Sequence, residues 1–403
     1  MDRSAGIDWA SERHAICVLE SDGCVVEQSV SEHDANGLSA LCARLVELGV
    51  KRVALERPDG VLVEQLLAAE LIVLAIHPNQ VKAARPRFSV AGGKSDGFDA
   101  YLLAELARTD AHRFRPLQPD HDATKALRAL TRAREDLVAT RVGLANQLRA
   151  ELERFWPGAT HVFAEIDSPI ALAFLERYPS PSDAHGLGSK RMASFLARHN
   201  YSGRRTPDEL VKRIRDAPKG TAGELELEAR RGVVLALVAA LKPLVEEIKR
   251  LSSEIAAAVR AHPDGPILLS LFRDPKSTVT AARIVAELGD NRARYPNNAA
   301  LAADAGMSPV ALESGKRKLA CFRRACDHRL RDAISTLADA SRHHNPWAND
   351  IYQRARARGC DHPHAIRILG RARTRIIRRI WQNHETYNPA KHGGLQRLIT
   401  TQG

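Results

Sequence analysis

Four carboxylates are spaced as if to share one ion. Asp8 stands in a short β-rich run (AGIDW), and Glu56 closes another (RVALE) directly before the turn-rich Arg57-Pro58-Asp59-Gly60. Asp96 and Asp99 sit three apart at the start of a helical segment (SDGFDAYLLAELA), with Ser95 in the N-cap position. An i, i+3 pair shares one helix face, so both carboxylates can address one point. An all-oxygen donor set suits Mg²⁺ or Mn²⁺, which keep coordination positions open for phosphate and water. Two such ions can clamp the attacking and leaving oxygens of a phosphodiester. Taken singly each acid has an ordinary reading: a hairpin carboxylate, a solvated strand end, a helix-start pair favoured by the macrodipole.

A second cluster lies near the C-terminus. Ser314-Gly315-Lys316 is followed by Arg317, Lys318, Arg323 and Arg324. A hydroxyl beside a glycine and several cations is suited to meet a phosphate, since the cations stabilise developing charge. The ordinary alternative is that Ser314 caps a following helix. Gly92-Gly93-Lys94-Ser95 looks like the end of a phosphate-binding P-loop, but position 88 is Phe88 where glycine is required, and no strand leads into it.

The elements that must hold these residues follow from periodicity. Ala5–Trp9, His14–Leu19 and Cys24–Gln28 read as a three-stranded meander, turned at Ser21-Asp22-Gly23. A helix over Ala35–Leu48, a strand over Arg52–Glu56, a helix over Val61–Ala69 and a strand over Leu71–Ile76 come next. The order β-β-β-α-β-α-β-α predicts a mixed α/β domain over residues 1–112. From 113 to 264 two long leucine-spaced helices, Thr124–Phe155 and a second through Val234–Ile255, predict a helical hairpin or coiled coil, kinked at Pro243. Residues 265–390 read as an all-α domain with a loop at Met307–Leu319, and 391–403 as a tail.

Charge separates these regions. The 403-residue chain carries a net +12, yet residues 1–110 hold 11 Lys and Arg against 17 Asp and Glu. From Glu313 to Glu385 the balance reverses, 17 against 7. The C-terminal region is therefore the expected polyanion-binding face, with Arg367, Arg371, Arg373, Arg375, Arg378 and Arg379 on one helix and the arginines of the first long helix gripping backbone. Nucleic acid can approach the acidic N-terminal domain only if cations intervene. The six cysteines form no CxxC pair, which points to reduced thiols rather than zinc. No apolar run reaches the ~20 residues that span a bilayer, so a cytoplasmic location without membrane partners is expected.

The segments GIDWASERHAICVLESDG, ALERPDG and KSDGFDAYLLAELART, followed by AARIVAELGDNRARYPNNAALAADAGMSPVALESGKRK and FRRACDHRLRDA, resemble the DEDD transposases of the IS110 insertion-sequence family, relatives of the Piv DNA invertases. The resemblance implies an RNase H-like (RuvC-like) N-terminal domain whose tetrad is Asp8, Glu56, Asp96 and Asp99. It implies that Ser314 is a catalytic serine forming a phosphoserine link to DNA. It also implies tetrads and serines meeting across subunits, in homodimers that pair into a homotetramer, guided by a structured bridge RNA. Two departures stand out. The glycine-rich hairpin common in such proteins is replaced by Phe272–Thr278 (FRDPKST), and Gly97 stands where Arg or Lys is usual. The expected activity is DNA recombination by metal-assisted transesterification. The rival readings are a Holliday-junction-type nuclease using water and a non-catalytic nucleic-acid-binding protein.

Overall fold

A computed structural model describes residues 2–88, 95–218, 220, 222–274, 277–314 and 317–402. The chain divides into two compact units, Met1–His121 and Asp122–Gly403.

The first unit is built on a five-stranded sheet of order β3-β2-β1-β4-β5. Strands β1 (Arg3–Asp8), β2 (Arg13–Leu19) and β3 (Val25–Glu32) form the expected antiparallel meander, while β4 (Val50–Leu55) and β5 (Ile72–Ala75) add in parallel. Helices α1 (Ala35–Glu47), α2 (Val61–Ala68), α3 (Pro78–Ala84) and α4 (Asp96–Thr109) complete it. Alternation sorts the strand residues onto two faces. Ala5, Ile7, Val53 and Leu55 pack with Leu38, Leu41 and Leu45 of α1 and Leu62 and Leu66 of α2. The opposite face carries Cys17, Leu19 and Ala54 against α4.

In the second unit α5 (Asp122–Phe155) and α10 (Glu224–Ala261) run antiparallel. Thr124 meets His262 at 2.7 Å, Arg134 donates to Ser252 Oγ at 2.7 Å, and Arg230 pairs with Glu151 at 2.6 Å. The helix continues through Pro243. Between the arms, α6 (Pro157–Thr160), α7 (Pro169–Arg177), α8 (Ser189–Arg198) and α9 (Pro207–Asp216) form a cap over Leu148, Leu152 and Val238. Beyond them come α11 (Gly265–Leu269), α12 (Thr278–Leu288) and α13 (Asn298–Asp304), then α14 (His328–Arg342), α15 (Pro346–Ala357), α16 (His362–Asn383) and α17 (Gly393–Gln402). The expectation of an all-α region is corrected at one point. Residues read as a loop form an antiparallel hairpin, β6 (Val310–Ser314) and β7 (Arg317–Cys321). Its register sets Val310 opposite Cys321 and Leu312 opposite Leu319.

Candidate functional site

Two of the four carboxylates lie at the ends of neighbouring strands of the first sheet, and two lie in the first turn of the helix packed against it. Ile7 and Leu55 are partners in the parallel β1–β4 ladder, so Asp8 and Glu56 follow each other's register at the two strand ends. Alternation from Gly6, which faces α4, turns Asp8 toward that helix as well, while Glu56 follows the last residue of β4 in a bend. Gly6 makes the approach possible: a Cβ there would run into the Ala100 carbonyl and the Ala104 amide. The helix runs against the direction of β1. Its C-terminal Arg108 donates to the Ser21 carbonyl at 3.1 Å, beyond the far end of β2. Its N-terminus, capped by Ser95 accepting from the Phe98 amide at 3.2 Å, therefore lies toward the Asp8 end.

The acids differ in setting. Asp96 is exposed, Asp8 and Glu56 are half-buried, and Asp99 is buried. Asp99 accepts from Arg85 Nη2 at 2.6 Å, a charge-assisted bond in a spot where water screens little. In donor chemistry the set fits a hard cation. Among the described residues, however, no three His, Cys, Asp or Glu side chains converge into an ion-holding group. Arg85, which no sequence signal singled out, is the cation that Asp99 holds in this arrangement.

Other neighbours also escaped sequence reasoning. The Arg57 guanidinium lies 4.2 Å from the centre of the Trp9 ring and ties the loop after β4 to the end of β1. Behind them the buried His14 places Nε2 2.8 Å from His33 Nδ1. Burial first, and the neighbouring His33 second, hold His14 below the ordinary histidine range. The folded state thus favours neutral His14, whereas the unfolded chain takes up its proton near pH ~6.5. This contribution is present above that pH and is lost as pH falls toward the depressed folded value, by no more than about 1.4 kcal/mol per pH unit. Urea unfolding between neutral and mildly acidic pH should show this loss in the wild type and a flatter slope in His14→Gln. Parallel slopes would remove His14 as the cause.

Ser314 ends β6 with its side chain exposed, opposite Arg317 in the hairpin register. It is a strand residue, so it does not cap a helix. Lys316 lies outside the described residues, as do Gly92, Gly93, Lys94, Pro275, Lys276 and the side chains of Arg317 and Lys318. Directly after β7 the exposed Phe322 is flanked by two guanidiniums, Arg331 at 4.6 Å and Arg367 at 4.8 Å from its ring centre. Arg323 donates to the Ser308 carbonyl at 3.2 Å and braces the hairpin base, while Arg324 is exposed.

The basic helix α16 separates into two faces. Arg371, Arg375 and Arg379 are exposed at four-residue steps and continue the line begun by the half-buried Arg367. Arg373 is buried, and Arg378 donates to the Tyr295 carbonyl at 2.7 Å, so these two serve the core. Along α5 several arginines also have partners within the second unit. Arg132 donates two hydrogen bonds to the buried Glu287, Arg128 donates to the Ala286 carbonyl, and Arg141 pairs with Asp167.

Among the described residues no helix is long and apolar enough to cross a membrane. The sequence pattern of a DEDD-type IS110 family, described as Transposase, matches residues 5–157. That of the Transposase IS116/IS110/IS902 family matches residues 276–353. The chain is 32% identical to the mini-circle putative transposase for IS117 of Streptomyces coelicolor, over 98% of this chain and 96% of that protein. It is 27% identical to an uncharacterized 42 kDa protein of insertion element IS900 from Mycobacterium paratuberculosis, over 96% and 97% of the two chains. An uncharacterized 43.6 kDa protein of insertion element IS110 from S. coelicolor is 28% identical over 75% of this chain and 74% of its own.

Proposed function

Because this chain belongs to the IS110 family of DEDD transposases, we propose that it cuts and rejoins DNA through a phosphoserine intermediate assembled from two half-sites. One half is the carboxylate edge of Asp8, Glu56, Asp96 and Asp99. The observation that supports this reading is that β1 and β4 end side by side while α4, whose first turn carries Asp96 and Asp99, packs on the same strands. A bound Mg²⁺ or Mn²⁺ would polarise the scissile phosphate and offset the charge of attack. Asp8, Glu56, Asp96 and Asp99 would hold that ion, and Arg85, now paired with Asp99, would stand beside it.

The other half is Ser314. Its hydroxyl oxygen forms a bond to phosphorus as the bond to the leaving deoxyribose oxygen breaks, and the hydroxyl proton ends on that leaving oxygen. Reversal onto a new strand end joins DNA without an external energy source. Arg324, Arg367, Arg371 and Arg375 bind backbone, with Lys316, Arg317, Lys318 and Arg323 contributing. In the functional assembly the serine of one copy serves the carboxylates of another, within dimers that pair into tetramers. A bridge RNA supplies sequence choice by base pairing, leaving the protein to recognise backbone and shape.

The carboxylate half is tested by Asp8→Asn. Strand scission in Mg²⁺ should fall by about three orders of magnitude, since losing an ion site removes several kcal/mol of transition-state stabilisation. Calorimetric Mg²⁺ binding should weaken in parallel. Full scission by Asp8→Asn, or scission undiminished by chelator, would remove the metal from the mechanism.

A further inference from the structure

The exposed arginine line on α16 ends at a pocket. Between α15, α16 and the start of α17 lies a cavity of about 390 Å³, within the range of small-ligand sites. Its walls combine two chemistries. Ile376 and Ile380 of α16, Ile351 of α15 and the half-buried Trp347 give it an apolar side. Arg375 and Arg379 stand on its rim one helical turn apart, about 6 Å along the axis. Neither has an acidic partner among the described residues, and Lys391 and Arg397 add further cations. The single lining carboxylate among the described residues, Glu385, lies 3.8 Å from Lys391.

The aromatic wall is fixed from behind. The Trp347 and His392 rings meet edge-on at 4.4 Å, and the Tyr387 hydroxyl lies 2.7 Å from His392 Nδ1. Gly394 lies so close to Trp347 that a Cβ there would come within 2.7 Å of the indole nitrogen. Beneath, Arg373 is buried with its guanidinium 5.1 Å from the Trp347 ring centre and its Nε donating to Ser341 Oγ at 3.2 Å. Burial lowers Arg373 to about 10, so it keeps its charge at neutral pH. A cavity with an apolar, partly aromatic wall backed by a fixed positive charge, and with two exposed guanidiniums on its rim, matches a molecule with a π-face and an attached anion.

We propose that this pocket receives one unpaired nucleotide of a single-stranded nucleic acid, its base against Trp347 and Ile376 and its flanking phosphates on Arg375 and Arg379. The inference rests on the nucleic-acid-binding reading above and adds to it a site that selects unstacked over paired strands. In a duplex both faces of every base are covered by stacking, and a base enters a pocket only after it is extruded. Base–aromatic stacking and backbone cations together are the usual means of holding single strands.

The test uses the full chain and fluorescence anisotropy with labelled single strands, as RNA and as DNA, and the matching duplex. Ala372→Phe fills the pocket without changing charge. It should weaken single-strand binding about tenfold, as expected for one lost stacking contact, with duplex affinity and salt dependence unchanged. Thr386→Trp fills the same space from the loop side and should do likewise, which guards against a helix disturbed by the first variant. Arg375→Gln with Arg379→Gln should lower the single-strand salt slope by about 1.4, the value for two phosphates. The stronger of the RNA and DNA signals identifies the sugar that the site accepts. Single-strand affinity unchanged in both filling variants would overturn the pocket, leaving the arginines as a surface rail. Wild-type protein that binds duplex but no single strand would overturn the pocket alone. Wild-type protein that binds neither would overturn the nucleic-acid reading with it.

Discussion

Wild-type protein should leave a covalent protein–DNA adduct on cleaved DNA, and Ser314→Ala should abolish that adduct and with it strand joining. Removing a nucleophile that works as part of a unit costs on the order of a millionfold in well-studied hydrolases. The fold should tolerate the change, because Ser314 is exposed at the end of β6 and surface substitutions of this kind stay within about 0.5 kcal/mol. DNA affinity should therefore hold while the adduct disappears from a denaturing gel. An adduct of undiminished yield would take the role away from Ser314. Cleaved DNA without any adduct, in both proteins, would instead identify a nuclease that uses water.

The second large effect is structural. Gly6→Val should loosen the first unit by about 3 kcal/mol or more, because the new side chain meets backbone atoms of α4 that cannot rotate aside. Gly6 lies between the sheet and the helix that brings Asp96 and Asp99 to the Asp8 end. The same substitution should thus separate the acids and end metal-dependent cleavage. Hydrogen exchange localises the damage: amides of β1 and α4 should lose protection while those of the α5–α10 pair keep theirs. Wild-type protection in β1 and α4 of the variant would mean that the close helix–strand contact is not needed.

What was legible in the sequence follows the range of the forces involved. Local periodicity and turn chemistry were enough for the order of strands and helices in the first unit, since Ala5, Ile7, Val53 and Leu55 advertise a buried face by alternation alone. The four acids could be nominated because they end or begin such elements. The β6–β7 hairpin was missed although Val310, Leu312, Leu319 and Cys321 pair in register. The glycine and the charged residues after Ser314 drew the whole stretch into a loop. Arg85 was invisible because its partner is fourteen residues away in the sequence. The partners of the α5 arginines were invisible for a similar reason. Glu287 and Asp167, which claim Arg132 and Arg141, come from segments whose proximity only the tertiary fold creates. Charge counts report how many cations a helix owns, not how many it has left to offer.

The α5–α10 pair has a geometric consequence. The cap is built around Leu148 and Leu152, whereas the core that carries α12, α14 and α16 begins at Leu127. At 1.5 Å per residue, Leu127 and Leu148 lie about 30 Å apart along α5. That is close to the length in which a DNA duplex completes one turn, about 34 Å. The two ends of the second unit are thus held apart by a ruler whose graduation resembles that of its substrate. Duplex lying alongside would present nearly the same side to both ends.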